Sequence, residues 1–340
     1  MFAQLLQQIF FSLAGQHAGP SSGADGGRFC RGGLDDALEH VVDALDKRLR
    51  MAPRYTHALS EPVAGLLRYI DTVGESVPGP VICSRSSFSG DNYVNAFFAS
   101  PGHIQEVFSQ SEEVRRLFDD SAMAEDCWAL LCMNFEEKTQ PGLTLVGDEV
   151  RRDVMQTSIN LGNHQVVSPG VDEASARCAL KCCMFDAFLS HIRREIVAAS
   201  KRDQAVQARL QALRARQRRA AQRHGDSAGV TATQKEIDAL QQESVAGDAQ
   251  MGSVAGRLEF VVDALSRPES FITAEPCLVH VNRRAVKLEP ASDGKAADLR
   301  LSKIRIASQG PRVGALVRFP RSELLPKPDM LKQADLFLAI

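Results

Sequence analysis

The most regular pattern of apolar and polar positions lies between residues 172 and 266. Apolar or small residues recur there in alternating steps of four and three, interrupted only at Asp203 and Gln217. The positions of this first run are 178, 182, 185, 189, 192, 196, 199, 206, 210, 213 and 220. A repeat that averages about 3.5 residues keeps one apolar stripe on the same side of a supercoiled helix, which is typical of a coiled coil.

The pattern restarts after the sequence HGDSAG at residues 224–229. Its positions are 230, 237, 240, 247, 251, 254, 258, 261 and 265, with Thr233 and Ser244 in step. Two such runs joined by a glycine-containing turn predict an antiparallel coiled-coil hairpin over residues 191–266. Its first arm would be about 50 Å long at about 1.5 Å per residue, and Pro268 would end the second arm.

Helical spacing also predicts two earlier helices, over residues 34–49 and about 58–75. A third helix begins in the sequence ASPGHIQEVF, where Ser100 is the expected cap and Pro101 the first helical residue. Ser121 is predicted to cap a further helix that runs through the sequence AMAEDCWALLCMNF.

The period changes to two over residues 142–167, which predicts a meander of antiparallel strands. Turns are expected at Gly147-Asp148 and Gly162-Asn163, because these dipeptides readily adopt positive φ. The apolar face of this meander carries Met155, Thr157, Ile159 and Leu161. Such an apolar face must pack against another part of the protein.

More strands are predicted after Pro268. The sequence CLVHVNRRAVKLE suits a hairpin, LRLSKIRIA and VGALVRF suit two further strands, and MLKQADLFLAI suits a closing helix. Neither set of strands alone covers its apolar face, so the two sets are expected to join one sheet. The predicted fold class is therefore α+β, with N-terminal helices packed on a mostly antiparallel sheet and the coiled-coil hairpin inserted into it.

This arrangement divides the chain into four segments. Residues 1–33 are expected to be a flexible tail and linker, 34–190 the first part of the α+β body, 191–266 the hairpin, and 267–340 the second part of the body. The opening 14 residues could form an amphipathic helix, but they lack the cationic face of a membrane-surface helix. Membrane binding is therefore not expected.

The composition limits the classes of binding partner and the cellular compartment that we expect for this protein. A formal net charge of −2 gives no global attraction to nucleic acid or to anionic membranes, so any such binding needs a local patch. Eight cysteines in a chain of 340 residues are not a small disulfide scaffold. The first residues do not resemble a signal peptide. Reduced thiols in a cytoplasm of bacterial type are the expectation.

The sequence CALKCC places three thiols within residues 178–183. Cys178 and Cys182 fall on the apolar stripe, where a thiol packs as a small apolar side chain. On a helix, Cys183 would point about 140° away from Cys178, so the three sulfurs cannot converge on one ion. The sequence contains no CxxC pair either. We therefore expect core packing here, with no metal site and no cofactor.

The first arm of the hairpin is strongly basic. Residues 201–224 contain eight basic residues and one acidic residue, Asp203. The candidate contacts for phosphate or for a partner are Arg209, Arg214, Arg216, Arg218, Arg219 and Arg223. The alternative is that the acidic second arm, over residues 226–248, pairs with these arginines as flanking charges do in coiled coils.

Enzyme signatures are mostly absent from the sequence. It contains no phosphate-cradling glycine motif, no HExxH and no GxSxG elbow. Asp153 and His164 are predicted on neighbouring strands, where they could form an acid–base pair. No nucleophile or substrate cradle accompanies them, and solvent-facing polar side chains are the simpler interpretation.

These features favour a non-enzymatic protein-interaction or scaffold protein. It would use the coiled-coil hairpin to reach another protein or to self-associate. One alternative is a nucleic-acid-associated factor that binds phosphates through the arginine-rich arm 201–224. The other alternative is an enzyme with a site near Asp153 and His164.

Overall fold

The computed structural model forms two compact units, Met1–Tyr69 with Met184–Pro268 and Ile70–Cys183 with Glu269–Ile340. It combines helices with an antiparallel sheet, which confirms the α+β prediction. The predicted boundaries of the four segments stay predictions. The residues that the structure describes are 33–146, 149–222, 227–246, 251–282, 285–288, 297–307 and 310–327.

Eight α-helices lie within the described residues. They are α1 (Leu34–Leu45), α2 (Tyr55–Ser76), α3 (Asn92–Phe97), α4 (Pro101–Gln110), α5 (Glu112–Asp120), α6 (Glu173–Gln222), α7 (Ser227–Ala246) and α8 (Val254–Leu265). The two predicted N-terminal helices are confirmed as α1, which is followed by the 3-10 helix Lys47–Met51, and α2. The start of α4 is also confirmed, since the Ser100 hydroxyl accepts the N–H of His103 at 3.1 Å and Pro101 is the first helical residue.

One sheet contains the strands of the second unit. The strands are β1 (Val81–Ile82), β2 (Asp126–Val146), β3 (Glu149–Gly170), β4 (Ile272–Val281), β5 (Ala297–Ile306) and β6 (Arg312–Pro320). Their order is β3-β2-β6-β5-β4, and β1 pairs in parallel with β6. Because β2 pairs with β6, strands from both sides of the long helices share one sheet, as predicted.

The predicted helix after Ser121 is wrong. Ser121 instead ends α5, and residues 126–146 form β2. Ala129, Leu131 and Met133 are buried in the core of the sheet, and the intervening Leu130 is 4% exposed. A strand buried on both faces is a continuous apolar run, which periodicity alone cannot distinguish from a buried helix.

The predicted turn at Gly162-Asn163 is also wrong, because β3 continues through these residues. Asn163 does adopt the positive φ of 51° that the dipeptide suggested. The pairing of β2 with β3 shifts register between Cys132 and Asn134, opposite this site. The positive φ is therefore used by an irregularity within a long strand. The predicted turn at Gly147-Asp148 lies outside the described residues.

The predicted apolar face of β3 is covered only in part. Ile159 and Leu161 are each 6% exposed and belong to the core of the sheet, whereas Met155 is 62% exposed. Beyond Met133, β2 pairs with β3 but no longer with β6. The outer ends of β2 and β3 therefore extend beyond β6, and Met155 lies on this extension.

The predicted hairpin after Pro268 is confirmed by β4 and a short segment at residues 285–288. In this segment Lys287 pairs with Val281 and the Leu288 N–H donates to the His280 carbonyl at 2.8 Å. On its other side, the Lys287 N–H donates to the Thr157 carbonyl of β3 at 2.8 Å. The segment therefore bridges the two outermost strands, β3 and β4.

Helices α3, α4 and α5 contribute to the core of this sheet. Phe108 on α4 stacks against Phe319 on β6, with ring centroids 4.3 Å apart. Phe97 and Phe118, from α3 and α5, are each 1% exposed in the same core. These aromatic contacts stabilise the packing of the three helices against the sheet.

In the other unit, a polar contact joins the segment after α1 to α8. The Arg257 guanidinium donates to the Asp46 carboxylate at 2.5 Å, and both side chains are largely buried. On α1, His40 stacks against Phe185 with ring centroids 5.9 Å apart. Its Nε2 lies 2.7 Å from an Asp186 carboxylate oxygen.

Among the described residues, no helix is both long enough and apolar enough to cross a membrane. The tail predicted over residues 1–33, apart from Gly33, and the closing helix predicted over residues 330–340 lie outside the described residues.

Candidate partner-binding surface on helix α6

A narrow stripe of α6 is shielded from solvent within residues 201–222. The buried or half-buried positions there are 203, 206, 210, 213, 217 and 220. Leu210 on this stripe is only 5% exposed. Asp203 and Gln217, which interrupt the apolar pattern of the sequence, lie on the same stripe as the apolar residues. The spacing of three and four residues is that of one side of a helix.

Helix α7 has a matching stripe. Over residues 230–241 the shielded positions are 230, 233, 237 and 240. Thr233 is 2% exposed and Ile237 is 4% exposed. Isolated solvent-exposed helices do not bury single residues in this periodic way, so another surface covers this side of α7.

Two contacts identify where α6 approaches the residues that follow it. The Gln217 side-chain amide of α6 donates to the Gln234 side-chain oxygen of α7 at 2.7 Å. Further down α6, a Cβ added at Gly252 would lie 3.6 Å from an Asp203 carboxylate oxygen. Of the two α6 residues, the earlier one, Asp203, therefore lies near the later of the two following residues, Gly252.

The remaining surface of α6 over residues 201–222 has an unusual composition. Every exposed position there is lysine, arginine, glutamine or alanine. The single acidic residue of this stretch, Asp203, is half-buried on the shielded stripe. The exposed surface therefore carries positive charge without any exposed carboxylate of its own.

The basic residues are not spread evenly around the helix. Successive residues are about 100° apart, which places five of them within an arc of about 100° on one side of the shielded stripe. We call this arc the basic flank; its members are Lys201, Arg202, Arg209, Arg216 and Arg219. Ala205 and Ala212 lie between them, whereas Arg214 and Arg218 lie on the opposite flank with several glutamines. The sixth candidate arginine, Arg223, lies outside the described residues.

The alternative, neutralisation of these arginines by the second arm, is not seen among the described side chains. Within that part of the chain, no carboxylate lies within 4.0 Å of the charged groups of the basic flank, Arg214 or Arg218. The Arg219 Nε donates to the Ala215 carbonyl at 3.3 Å. On α7, the Asp238 carboxylate accepts from the Gln234 amide at 2.7 Å instead. Three acidic residues of that arm, Asp226, Glu243 and Asp248, lie outside the described side chains, so the neutralisation stays a prediction.

The three clustered thiols lie on α6, as the helical spacing predicted. Cys182 is 8% exposed, while Cys178 and Cys183 are half-buried. Between them, Lys181 points to α2, where its ammonium lies 3.0 Å from Asp71 and 2.8 Å from Glu75. Among the described residues, no group of three or more His, Cys, Asp or Glu side chains is arranged to hold a metal ion.

The predicted placement of Asp153 and His164 on neighbouring strands is wrong. Both residues lie on β3, eleven positions apart. An extended strand rises about 3.3 Å per residue, so this separation corresponds to about 36 Å. The reason is that the Gly162-Asn163 turn, which would have folded the chain back, does not form. The structure therefore gives no support for an acid–base pair of these two residues.

His164 instead belongs to a cluster of aromatic rings that the sequence did not reveal. Its ring stacks on Phe98 at 5.1 Å and meets His103 edge-on at 4.9 Å. Its Nε2 lies 2.6 Å from the Phe97 carbonyl. Burial lowers the pKa of His164 below its ordinary value, which favours the neutral imidazole. A neutral ring that donates to a backbone carbonyl holds α3 against β3.

A shallow groove at the end of β6 was also not predicted. It has a volume of about 620 Å³ and is lined by residues 122–126 with Arg318 and residues 320–322. Arg318 lies 2.7 Å from the Asp126 carboxylate, and the Arg321 guanidinium donates to backbone carbonyls at Ser121 and Ala122. Both cations of the groove therefore serve the local fold. Pro320, which has no N–H to donate to a neighbouring strand, is the last residue of β6 at this groove.

Comparisons with protein-family models, with curated proteins and with solved structures find no match to this chain.

Proposed function

We propose that this chain is a non-enzymatic interaction protein in which α6 and α7 pair as an antiparallel coiled-coil hairpin that carries the binding surface. The observation that carries the proposal is the shielded stripe on both helices, with steps of three and four residues. A stripe on α6 and a matching stripe on α7 cover each other most simply when the two helices pack side by side.

One register agrees with the observed hydrogen bond between Gln217 and Gln234. In it, Leu213 faces Ile237 and Leu210 faces Leu240. This register places Gln217 beside Gln234, which is the hydrogen-bonded pair.

A pair of long helices suits binding better than catalysis. It encloses no cavity in which substrate and catalytic groups could be held away from water. It offers instead an extended lateral surface, which can contact a partner protein or a second copy of the chain. The seven described cysteines are free thiols, which is compatible with the reducing cytoplasm that we propose for this chain.

A deletion tests whether the hairpin is the binding element. Residues 206–244 are replaced by a short Gly-Ser linker, and partners that co-purify with the intact chain and with the variant are compared by mass spectrometry. Light scattering reports self-association of both proteins. The expected result is that the partners, or the self-association, are lost with the hairpin.

The single tryptophan supplies the control, because Trp128 lies on β2 and not on the long helices. Its fluorescence should be the same in the intact chain and in the deletion variant. Retention of all partners by a variant with unchanged Trp128 fluorescence would show that the hairpin is not the binding element.

A further inference from the structure

We propose that the basic flank of α6 binds the phosphate backbone of duplex DNA, without sequence preference. This inference rests on the proposed function, since it assigns a partner to one side of the same hairpin, the basic flank. The flank presents five cations over about 27 Å of helix at about 1.5 Å per residue.

The basic flank has an arrangement of charges that favours the binding of an anion. Arg202, Arg209 and Arg216 follow one another at intervals of seven residues, so they form a row along the helix. Like charges in a row repel one another, and a bound polyanion relieves this repulsion. The planar guanidinium can donate two parallel hydrogen bonds to one phosphate. The alanines between the cations are small enough to let the backbone of a partner approach closely.

The composition of the basic flank favours nucleic acid over an acidic protein as the partner of this side of α6. Protein interfaces are built around a buried apolar or aromatic centre. The exposed positions of α6 over residues 201–222 contain no side chain larger and more apolar than alanine. Interfaces with DNA are instead polar and strongly positive, which is the character of this flank.

Duplex DNA fits better than a single strand or duplex RNA. Proteins that bind single strands stack the bases on aromatic rings, and residues 193–246 contain no Phe, Tyr or Trp. The major groove of B-form DNA, about 12 Å wide, admits an α-helix, whereas the major groove of A-form RNA is deep and narrow. Because the flank offers contacts to phosphate rather than to base edges, we expect affinity without sequence specificity.

The test measures binding of a fluorescent 20-base-pair DNA duplex by anisotropy at several salt concentrations. If all five cations contact phosphates, log K should fall with log salt at a slope of about −4.5. This slope corresponds to a loss of affinity of about 500-fold between about 50 and 200 mM salt. Parallel arms use single-stranded DNA, duplex RNA and polyglutamate as probes.

Two triple variants with the same change in charge separate the two flanks of α6. The test variant is Arg209→Gln, Arg216→Gln, Arg219→Gln, on the basic flank. The control variant is Arg193→Gln, Arg214→Gln, Arg218→Gln, which changes exposed arginines on the opposite flank. The test variant should bind duplex DNA at least about tenfold more weakly at low salt and lose about 2.7 units of salt slope. The control variant should keep most of the wild-type affinity and most of the wild-type salt slope.

Three results would overturn the inference: no binding of duplex DNA at low salt, equal losses in the two triple variants, or tighter binding of another probe. The proposed hairpin is assessed separately by cross-linking Leu213→Cys to Ile237→Cys. If the cross-link forms and duplex DNA is not bound, the DNA inference fails and the hairpin stands. If the cross-link does not form, the proposed function fails as well.

Discussion

Gln217 of α6 and Gln234 of α7 are joined by a hydrogen bond of 2.7 Å between their side-chain amides. Gln217 lies on the shielded stripe of α6, where most positions are apolar. Polar residues on such a stripe restrict a coiled coil to the register in which they find partners. The pair therefore supports one alignment of α6 with α7, in which Leu213 faces Ile237.

The first prediction concerns the stripe itself. Leu210→Asp places a carboxylate at a position that is 5% exposed and should destabilise the hairpin by about 3 kcal/mol. The control is Gln211→Asp at the neighbouring exposed position, which should change stability by less than about 0.5 kcal/mol. Thermal melts followed by circular dichroism at 222 nm measure the effect on the helices. Equal melting of the two variants would count against the pairing of α6 with α7.

The second prediction concerns the Asp46–Arg257 pair. Burial raises the pKa of Asp46, but hydrogen bonds from the Arg48 N–H and the Arg257 guanidinium outweigh burial and leave the pKa below its ordinary value. Arg257→Ala leaves this largely buried carboxylate without its main cation and should cost about 2–4 kcal/mol of unfolding free energy. Denaturant titration measures the loss.

The matched control for this pair is Lys327→Ala, which removes an ion pair with Asp119 whose side chains are 67% and 64% exposed. Such exposed pairs contribute less than about 1 kcal/mol. Because the pKa of Asp46 is lowered in the folded state, its contribution is present at neutral pH and is lost as the pH falls below about 4. The stability difference between the wild type and Arg257→Ala should therefore shrink in acid. A constant difference down to pH 2 would contradict this assignment.

The third prediction follows from His164. Its pKa is lowered by burial in the folded state, so the unfolded chain binds a proton more readily. The unfolding free energy should therefore decrease as the pH falls below about 6.5, the ordinary pKa of histidine. His164→Gln should be less sensitive to pH between about 6.5 and 5 than the wild type. Urea titrations of both proteins at pH 7.5, 6 and 5 measure this difference, and parallel curves would disprove the assignment.

The fourth prediction concerns the buried thiols of the sheet. Burial raises the pKa of Cys127 to about 12 and that of Cys132 to about 11, and it raises the pKa of Cys83 further. The thiolate is the reactive form, so at pH 8 Cys132 should react with iodoacetamide about 100-fold more slowly than an ordinary cysteine. Mass spectrometry of peptides from folded and urea-unfolded protein measures the rates. Equal rates in both states would refute the buried placement.

The sequence predicts best the elements whose apolar residues recur with a single period or whose ends depend on neighbouring residues alone. The stripe of α6 is one example, because a helix covered on one side repeats its apolar residues every three or four positions. The sequence also predicts the start of α4, where Ser100 and Pro101 act locally. Strand β2 is missed because Ala129, Leu130 and Leu131 are buried on both faces of the sheet, and such a run has no period.

The sequence predicts that this segment of α6 is charged, but not which side of the helix presents the charges to solvent. The sequence shows that residues 201–224 are basic, yet the same residues could have been neutralised by the second arm. The exposure of each side chain and the absence of nearby carboxylates among the described residues depend on packing between distant parts of the chain. The ring contacts of His164 could not be predicted for the same reason, because Phe98 and His103 lie about 60 positions earlier in the chain.

The central claim, that α6 and α7 are paired in one antiparallel register, is tested most directly by disulfide cross-linking. Leu213→Cys with Ile237→Cys places two thiols at facing positions, whereas Leu213→Cys with Val230→Cys is displaced by one heptad, about 10 Å. Mild oxidation followed by peptide mass spectrometry should detect the 213–237 disulfide in most molecules and little of the 213–230 disulfide. Equal yields for the two pairs, or no 213–237 disulfide, would contradict the account.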